Sequence, residues 1–266
     1  MTVFEQVRPG LFSGRLEVED TCFTVIVGQE GAMVVDTGSH PHVGTNLRHD
    51  ISQTFEVPLT HVVLTHGHWD HSFGTPAFSD LQFLAHENYP LDVQCLENQA
   101  QAQVHNLSLD TLPTPTALIS SIKFVDLGDQ PVEIAYLGQA HSRSDLVLGL
   151  PKQQGFIVGD LVDCSPPQCD ETSSLHGWVQ VLDVLYTWMK PDTLLLPGHG
   201  RILDVGDLTH FRSGLAALWD QTQWAHNQGI PVGEIYDHSD LQWPWDRETA
   251  KKAITVAYQE LTASLL

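Results

Sequence analysis

Between Leu64 and His71 the chain reads Leu-Thr-His-Gly-His-Trp-Asp-His, which sets four side chains able to bind a metal (His66, His68, Asp70 and His71) within six positions behind an apolar run. Residues 61–64 read as a short buried strand, and Gly67 marks a turn at its end, so the four side chains fan out from a tight loop. Side chains two apart leave one edge together. The spacing therefore lets His66 and His68 reach one ion, while Asp70 and His71, past the turn, point to a second. Imidazole and carboxylate together are a ligand set suited to zinc, iron or manganese.

Three later segments each put one more such side chain at a strand end beside a glycine or a turn: Gly138-Gln139-Ala140-His141-Ser142, Ile157-Val158-Gly159-Asp160 and Leu195-Leu196-Pro197-Gly198-His199-Gly200. Taken singly, each reads as a capping or solvent-facing residue. Taken with the 66–71 loop, they make seven nitrogen or oxygen donors that can converge on one edge of a sheet, where loops carry sites and strands carry the scaffold. Two ions sharing a carboxylate would use seven ligands and leave a position open for water.

The elements that must position these residues follow from periodicity. Residues 11–18, 22–27 and 32–36 read as an antiparallel meander with turns at 19–20 and 29–31. Ser39 followed by Pro41 signals a helix start, and Val43, Leu47, Ile51 and Phe55 then share one face. The strand feeding His66 comes next, then a short helix from His71, a strand at 81–85 and a helix over 87–103 that gives way to a loop at Pro113 and Pro115. Further strands are expected at 122–127, 132–137, 146–150 and 156–159. A helix over 175–190 carries Trp178, Leu182, Leu185 and Met189 on one face, and a buried strand at 193–196 leads to His199. Two long helices, 207–228 and 247–266, close the chain. Leu208, Phe211, Leu215 and Leu218 with Trp219 stripe the first, and Ile254, Tyr258, Leu261 and Leu265 the second. The connection between them, 231–245, holds Trp243, Pro244 and Trp245; it either completes the cover of one sheet or reaches over the ligand edge as a wall. No internal repeat, low-complexity tract or linker divides the chain.

The chain has 266 residues, 42% hydrophobic and 17% charged, which suits a globular protein with one large core or two modest domains. With 33 acidic against 12 basic residues, the net charge of −21 disfavours nucleic acid and anionic membrane as partners and leaves a small molecule as the expected one. Bound divalent ions would offset part of that charge locally. Residues 1–10 lack a basic start and an apolar run, and no stretch approaches the roughly 18 apolar residues of a membrane span, so a cytoplasmic location is expected. Four cysteines in a chain of this length make no disulfide framework, in keeping with a reducing compartment. Cys164 and Cys169 could pair on oxidation, but free thiols are expected. Oligomeric state is left open.

On these motifs the sequence resembles the metallo-β-lactamase fold superfamily over roughly residues 10–205. Asp36 in Val34-Val35-Asp36-Thr37-Gly38 matches the first motif, the 66–71 loop the second, His141 the third, Asp160 the fourth and His199 the fifth, in the family's order. The resemblance implies an α/β fold, a four-layer αββα sandwich of two mixed β-sheets with helices outside and a metal site along one edge. It implies a sandwich domain over 1–205 and a C-terminal helical extension, 206–266, packed on it. It also implies that His66, His68 and His141 hold a first metal, Asp70, His71 and His199 a second, with Asp160 bridging and Asp36 orienting the ligand loop from behind. Many true metallo-β-lactamases carry cysteine or serine at the position of Asp160. This points to the hydrolase branch with a bridging carboxylate. The segments His141-Ser142-Arg143-Ser144-Asp145, Gly159-Asp160-Leu161 and His176-Gly177-Trp178 are similar to a little-defined bacterial subgroup that includes sulfur-oxidation and quinoprotein-relay members.

The activity so implied is metal-dependent hydrolysis of a small ester, thioester, lactone or amide. Two divalent ions, zinc first with iron or manganese as alternatives, lower the pKa of a water between them enough to give hydroxide at neutral pH. Asp70 is the expected catalytic residue, orienting that group and carrying a proton to the leaving group. Trp69, Cys164 and His176 are the candidates for substrate contact. Arg143 either binds a substrate carboxylate or pairs with a local acid. Two other readings are a mononuclear iron enzyme of the persulfide-dioxygenase kind and a non-catalytic binding protein on the same fold. Lost ligands would mark the latter, and none is missing.

Overall fold

The computed structural model describes residues 2–16 and 20–263. The end of the expected first strand and the start of its turn (residues 17–19), and Leu265 of the last helical stripe, lie outside the described residues. Among the described residues twelve strands form two sheets. The larger runs in chain order through β1 (Glu5–Arg8), β2 (Leu11–Arg15), β3 (Cys22–Val27), β4 (Ala32–Val35), β5 (Leu59–Val63), β6 (Gln82–His86) and β7 (Ala117–Ile119). The smaller has the order β12 (Leu194–Pro197), β11 (Gly155–Gly159), β10 (Leu146–Leu150), β9 (Pro131–Tyr136), β8 (Ile122–Asp126).

Both sheets are mixed. β1 to β4 pair antiparallel through short turns, whereas β4, β5, β6 and β7 are parallel, and β11 pairs parallel with β12. A parallel pair needs a crossover, which α1 (Pro41–Thr54) supplies between β4 and β5 and α5 (Leu175–Thr187) between β11 and β12. Helix α1 begins one residue later than Ser39 suggests: His40 is the cap, its Nδ1 accepting from His42 N at 3.2 Å, and Pro41 takes the first helical position.

Alternation along the strands builds the layers. Leu11, Ile26, Met33, Val35, Val63 and Leu84 of one sheet face Ile134, Leu146, Leu148, Leu150, Ile157 and Leu196 of the other. The intervening residues Val25, Val34, Val62 and Phe83 turn outward against Leu47 and Ile51 of α1. On the opposite side Val147, Val158 and Leu195 meet Trp178, Leu182 and Leu185 of α5 together with Phe211 and Leu215 of α6 (Val205–Asn227). The result is helix, sheet, sheet, helix, as expected. Each Leu or Ile buried in these layers stabilises the fold by about 1.5–3 kcal/mol.

Four short or divided helices complete the ligand side: α2 (Trp69–Ser72), α3 (Tyr89–Asp92) and α4 (Leu96–Val104), with α7 (Val232–Ile235) near the C-terminus. The single helix expected over 87–103 is two, because Cys95 is extended and starts α4 as its cap, its Sγ accepting from Asn98 N. Helix α8 (Arg247–Ala263) lies on α6 through a seam of Ala250, Ala253, Ile254 and Ala257 against Leu218 and Ala225. Small side chains there let the two helices approach closely. The 231–245 connection joins this seam. Trp245 packs on Phe211 with centroids 5.9 Å apart, and Trp243 stacks on Tyr236 and donates its Nε1–H to Tyr236 O at 3.1 Å. The tryptophans cover α6 and do not wall the ligand edge. No helix of the described residues is long and apolar enough to cross a membrane. All four cysteines are free thiols, Cys22 and Cys95 buried and Cys164 exposed.

Candidate metal centre

The seven donors predicted from sequence come together at one end of the sandwich, on the loops that follow β5, β9, β11 and β12. Asp36, directly after β4, organises the first of these loops. Its backbone is left-handed, with φ of 65°, a conformation that short Asp and Asn side chains tolerate. From there Oδ1 accepts from Thr65 N at 2.8 Å, and Oδ2 accepts from Thr65 Oγ1 at 2.8 Å and lies 3.0 Å from His71 Nδ1. Thr37 adds a second tie, its N and Oγ1 both donating to His71 O. The strand end, the loop and α2 are thus one rigid piece.

Each of four imidazoles has one ring nitrogen turned to a neighbour behind it. His66 Nδ1 lies 3.0 Å from Thr65 Oγ1, His71 Nδ1 faces Asp36, and His68 Nε2 lies 3.2 Å from Asp170 Oδ2. His141 Nδ1 faces Asp145 Oδ1 at 3.5 Å without a hydrogen bond, and that carboxylate accepts from Ser142 N and Ser142 Oγ. The other nitrogen of each ring is left for the interior. Orientation of this kind is what holds imidazole ligands in one tautomer.

The inward atoms form overlapping groups in which ligand atoms lie within 4.8 Å of one another: His66, His68 and His141; Asp70, His71 and His199; and His66, His71 and Asp160. In the first, the three rings stand near-perpendicular, each pair of centroids 4.7 Å apart. In the second, Asp70 Oδ2 is 3.1 Å from His199 Nε2 and 3.3 Å from His71 Nε2. Asp160 sits between them, Oδ1 at 3.4 Å from His71 Nε2 and Oδ2 at 3.8 Å from His66 Nε2 and 3.9 Å from His141 Nε2.

Two observations test whether a metal fits. His66 Nε2 and Asp160 Oδ1 are buried with no hydrogen-bond partner. Such orphaned atoms cost stability unless something else coordinates them. In addition, five imidazoles and two carboxylates form a donor set of the kind zinc takes. The residues fit. A further group, His68 with Cys95 and Asp170, uses the outward nitrogen of His68, and burial pushes the Cys95 thiol up to about 12, so it remains protonated.

Charge within the cluster is balanced locally. Burial works against ionisation of Asp70 and Asp160, yet His71 and His199 outweigh it and hold both carboxyls well below the usual range. Burial likewise opposes charge on His68 and His199, but Asp170 at the first and Asp160 at the second raise them to about 9 and about 10. A divalent cation can take the place of those protons.

The cluster opens into a cavity of about 420 Å³. Trp69 lines it while packing its ring near Phe73 and His105. Cys164 and His176, the other expected contacts, are not brought to it. Cys164 lies beside Gly200, and His176, at the start of α5, stacks on Trp219 with centroids 4.8 Å apart. Cys169 lines the cavity instead. Arg143 pairs with buried Asp92 at 3.3 Å, the local-acid alternative. Asp170, Asp145 and Thr65 were missed as supports of the histidines, and Lys252 of α8 was missed in the cavity wall. Only Thr65, adjacent to the motif, had a signal in the sequence. A larger cavity, about 1050 Å³, lies apart, between β2 and α1.

A sequence profile described as the metallo-β-lactamase superfamily matches residues 19–199. The chain is 24% identical over 211 residues to a metallo-β-lactamase type 2 of Bacillus sp. (strain 170), covering 78% of this chain and 77% of that protein. It is 22% identical over 206 residues to metallo-β-lactamase IND-1 of Chryseobacterium indologenes, covering 76% and 80%. Among solved structures, a metallo-β-lactamase from Pontibacter korlensis aligns with TM-score 0.67 and 19% identity over 81% of this chain and 99% of that one. The stereoselective inverting sec-alkylsulfatase Pisa1 from Pseudomonas sp. aligns with TM-score 0.77 and 18% identity over 98% of this chain and 50% of that one. At these identities the two structures speak to the fold alone.

Proposed function

The chain belongs to the metallo-β-lactamase superfamily, and on that premise we propose that it is a dinuclear metallohydrolase of a small ester, thioester, lactone or amide. In this reading His66, His68 and His141 hold one divalent ion, Asp70, His71 and His199 hold a second, and Asp160 touches both. Zinc is the metal proposed, from the donor set. The observation that carries the reading is the position of Asp160, whose two oxygens lie 3.4 Å from His71 Nε2 and 3.8 Å from His66 Nε2, one member of each group.

Bound there, two such ions supply Lewis acidity toward a carbonyl oxygen and acidify water. The protein's own contribution is positional. Asp36 and Thr65 fix the ligand loop, and the cavity, of about 420 Å³, has the size of a small-molecule site. Asp70 faces that cavity with Oδ2 accepting from Thr21 Oγ1 at 3.4 Å, so its carboxylate is oriented to hold a proton at the reacting centre and pass it to the leaving group. Four free cysteines support the cytoplasm as the compartment, and the net charge of −21 supports a small molecule over nucleic acid as substrate.

Metal analysis of the purified protein, joined to a panel of thioesters, lactones, β-lactams, phosphodiesters and sulfate esters, tests this. About two zinc per chain with turnover of an acyl substrate is expected. One iron per chain with no hydrolysis would favour the mononuclear oxygenase reading and overturn the proposal.

A further inference from the structure

We infer that Lys252 receives an anionic group of the substrate, so that the compound cleaved at this site carries a singly charged oxyanion, such as a carboxylate, apart from the bond that breaks. The inference rests on the hydrolase reading above and adds the substrate class to it.

The cavity over the donors is lined by six carboxylates, those of Asp20, Asp70, Glu97, Asp160, Asp163 and Asp170, and, besides the donor histidines, by a single Lys or Arg side chain, Lys252. In so acidic a chain a lysine in such a wall should be claimed by an acid. Eight of the twelve Lys and Arg residues do sit in ion pairs. Lys252 does not, among the described residues, although its neighbour Lys251 pairs with Glu248 at 3.8 Å. Of the cations without such a pair, Lys252 alone borders this cavity. Lys252 is exposed and borders the site with no acid partner among the described residues.

The position of Lys252 is built into the fold. On α8, Ala250, Ala253, Ile254 and Ala257 form the seam with α6, which turns residue 252 to the other side of the helix. Two turns on, Glu260, on the flank of α8 next to the seam, fastens the helix to the start of α5. Its Oε1 accepts from Ser174 Oγ at 2.8 Å and its Oε2 from His176 N at 3.4 Å. Ser174 directly follows the loop that gives Asp163, Ser165, Gln168, Cys169 and Asp170 to the cavity. Lys252 lines the same cavity as that loop, so the C-terminal helix is part of the site's wall. Two divalent ions would offset four of the six carboxylate charges and Lys252 a fifth, so an oxyanion is accommodated only beside Lys252 itself, and a doubly charged phosphate would be opposed more strongly by the remaining acids.

Matched esters test it: 4-nitrophenyl butyrate, the 4-nitrophenyl monoester of succinic acid and the 4-nitrophenyl ester of 3-sulfopropionic acid, which differ at the tail. The zinc-loaded wild type is expected to favour the charged esters over the neutral one by about three- to tenfold in kcat/KM, the range of a partly exposed charge pair, with the preference shrinking as salt is added. In K252Q the charged-to-neutral ratio falls toward one. It is kept in K252R and in K251Q. A lead for the succinyl ester assigns carboxylate shape and equal rates for the two anions assign charge alone; both uphold the inference. The same ratio in wild type and K252Q overturns it while leaving the hydrolase reading intact. Should the wild type cleave none of the three, the hydrolase reading fails for acyl esters, and calorimetric titration with succinate and butyrate decides. Succinate held more tightly than butyrate only where Lys252 is present upholds the anion site, and equal affinities in wild type and K252Q overturn it.

Discussion

His68 Nε2 lies 3.2 Å from Asp170 Oδ2, across 102 residues of sequence. The contact leaves Nδ1 of His68 as the nitrogen that faces His66 and His141. Asp170 is itself held, Oδ1 accepting from Thr172 N at 2.7 Å and from Thr172 Oγ1 at 2.6 Å. The same turn steadies a second ring's segment, Ser173 Oγ donating to His141 O at 2.6 Å. One short loop thus supports two of the three imidazoles of the first group.

Asp170→Asn should therefore keep the fold and lower affinity for one of the two ions by about 10- to 100-fold, the usual effect of removing a carboxylate behind a metal-bound histidine. Competition for zinc against a chromogenic chelator measures it. Wild-type affinity for both ions would mean that His68 is held by its ring contacts alone.

Protonation should compete with metal. Burial opposes charge on His68 and His199, and the carboxylates overcome it, lifting them to about 9 and about 10 from an ordinary 6.5. Because both values are raised on folding, these imidazolium groups stabilise the metal-free protein fully below about pH 6.5, and that contribution is lost as pH climbs through 9 to 10. Metal-free protein should lose thermal stability across that window, and zinc uptake near neutral pH should expel protons from both rings. Calorimetric zinc titrations in two buffers of different ionisation enthalpy read the release directly. Identical heats in the two would show the rings already neutral.

What could be read in advance, and what could not, follows from how contacts are encoded. The donors at 66–71 were legible because the motif is contiguous and the strand before it, Leu59–Val63, is set by its own apolar residues. His141, Asp160 and His199 were legible only together with that motif, each at a strand end beside a glycine or a turn, and Asp36 only through the resemblance of its Val-Val-Asp-Thr-Gly segment. Asp170 and Lys252 were not, since a lone acid in a loop and a lysine on an amphipathic helix look the same whether they meet a ligand cluster or water. Periodicity says which face of α8 is buried, not what lies beyond the other face. The strands Glu5–Arg8 and Ala117–Ile119 were missed for a related reason: edge strands of four and three residues carry little alternation. The Trp243 and Trp245 rings could have covered either the donors or α6, and only the packing against Phe211 decides between them.

Asp36→Ala should unfold more readily than a surface change of equal size. It strips Thr65 N, Thr65 Oγ1 and His71 Nδ1 of their shared partner and leaves alanine in a left-handed backbone with φ of 65°. Buried donors left unpaired cost about 1–3 kcal/mol each, and the backbone adds about 1 kcal/mol, so a total loss of at least about 4 kcal/mol is expected. Asp36→Asn, which tolerates that backbone and keeps one acceptor, should lose less than half as much. Urea denaturation of the metal-free proteins gives both figures, and equal losses in the two variants would remove the argument from backbone conformation.

The last expectation concerns Gly198, in the Pro-Gly-His-Gly segment that delivers His199. A methyl group on Gly198 would collide with Asp160 Oδ1 and come within 2.8 Å of His71 Cε1. The backbone cannot recoil from that contact. Gly198 N donates to Gly159 O at 3.0 Å on one side, and Gly198 O accepts from Cys22 N at 2.6 Å on the other. The carboxylate of Asp160 must move instead, away from the gap between the two groups of donors. Gly198→Ala should consequently fold with a loss of about 1–3 kcal/mol, the usual cost of overpacking, and yet bind one of its two ions at least about tenfold more weakly. Gly233→Ala, at a position where an added methyl meets nothing within 4 Å, serves as the control and should change neither property. Zinc stoichiometry by equilibrium dialysis, paired with urea denaturation, separates the outcomes. Two tight zinc ions retained in Gly198→Ala would show that Asp160 is not needed between the groups, and the dinuclear assignment would then rest on the histidines and Asp70 alone.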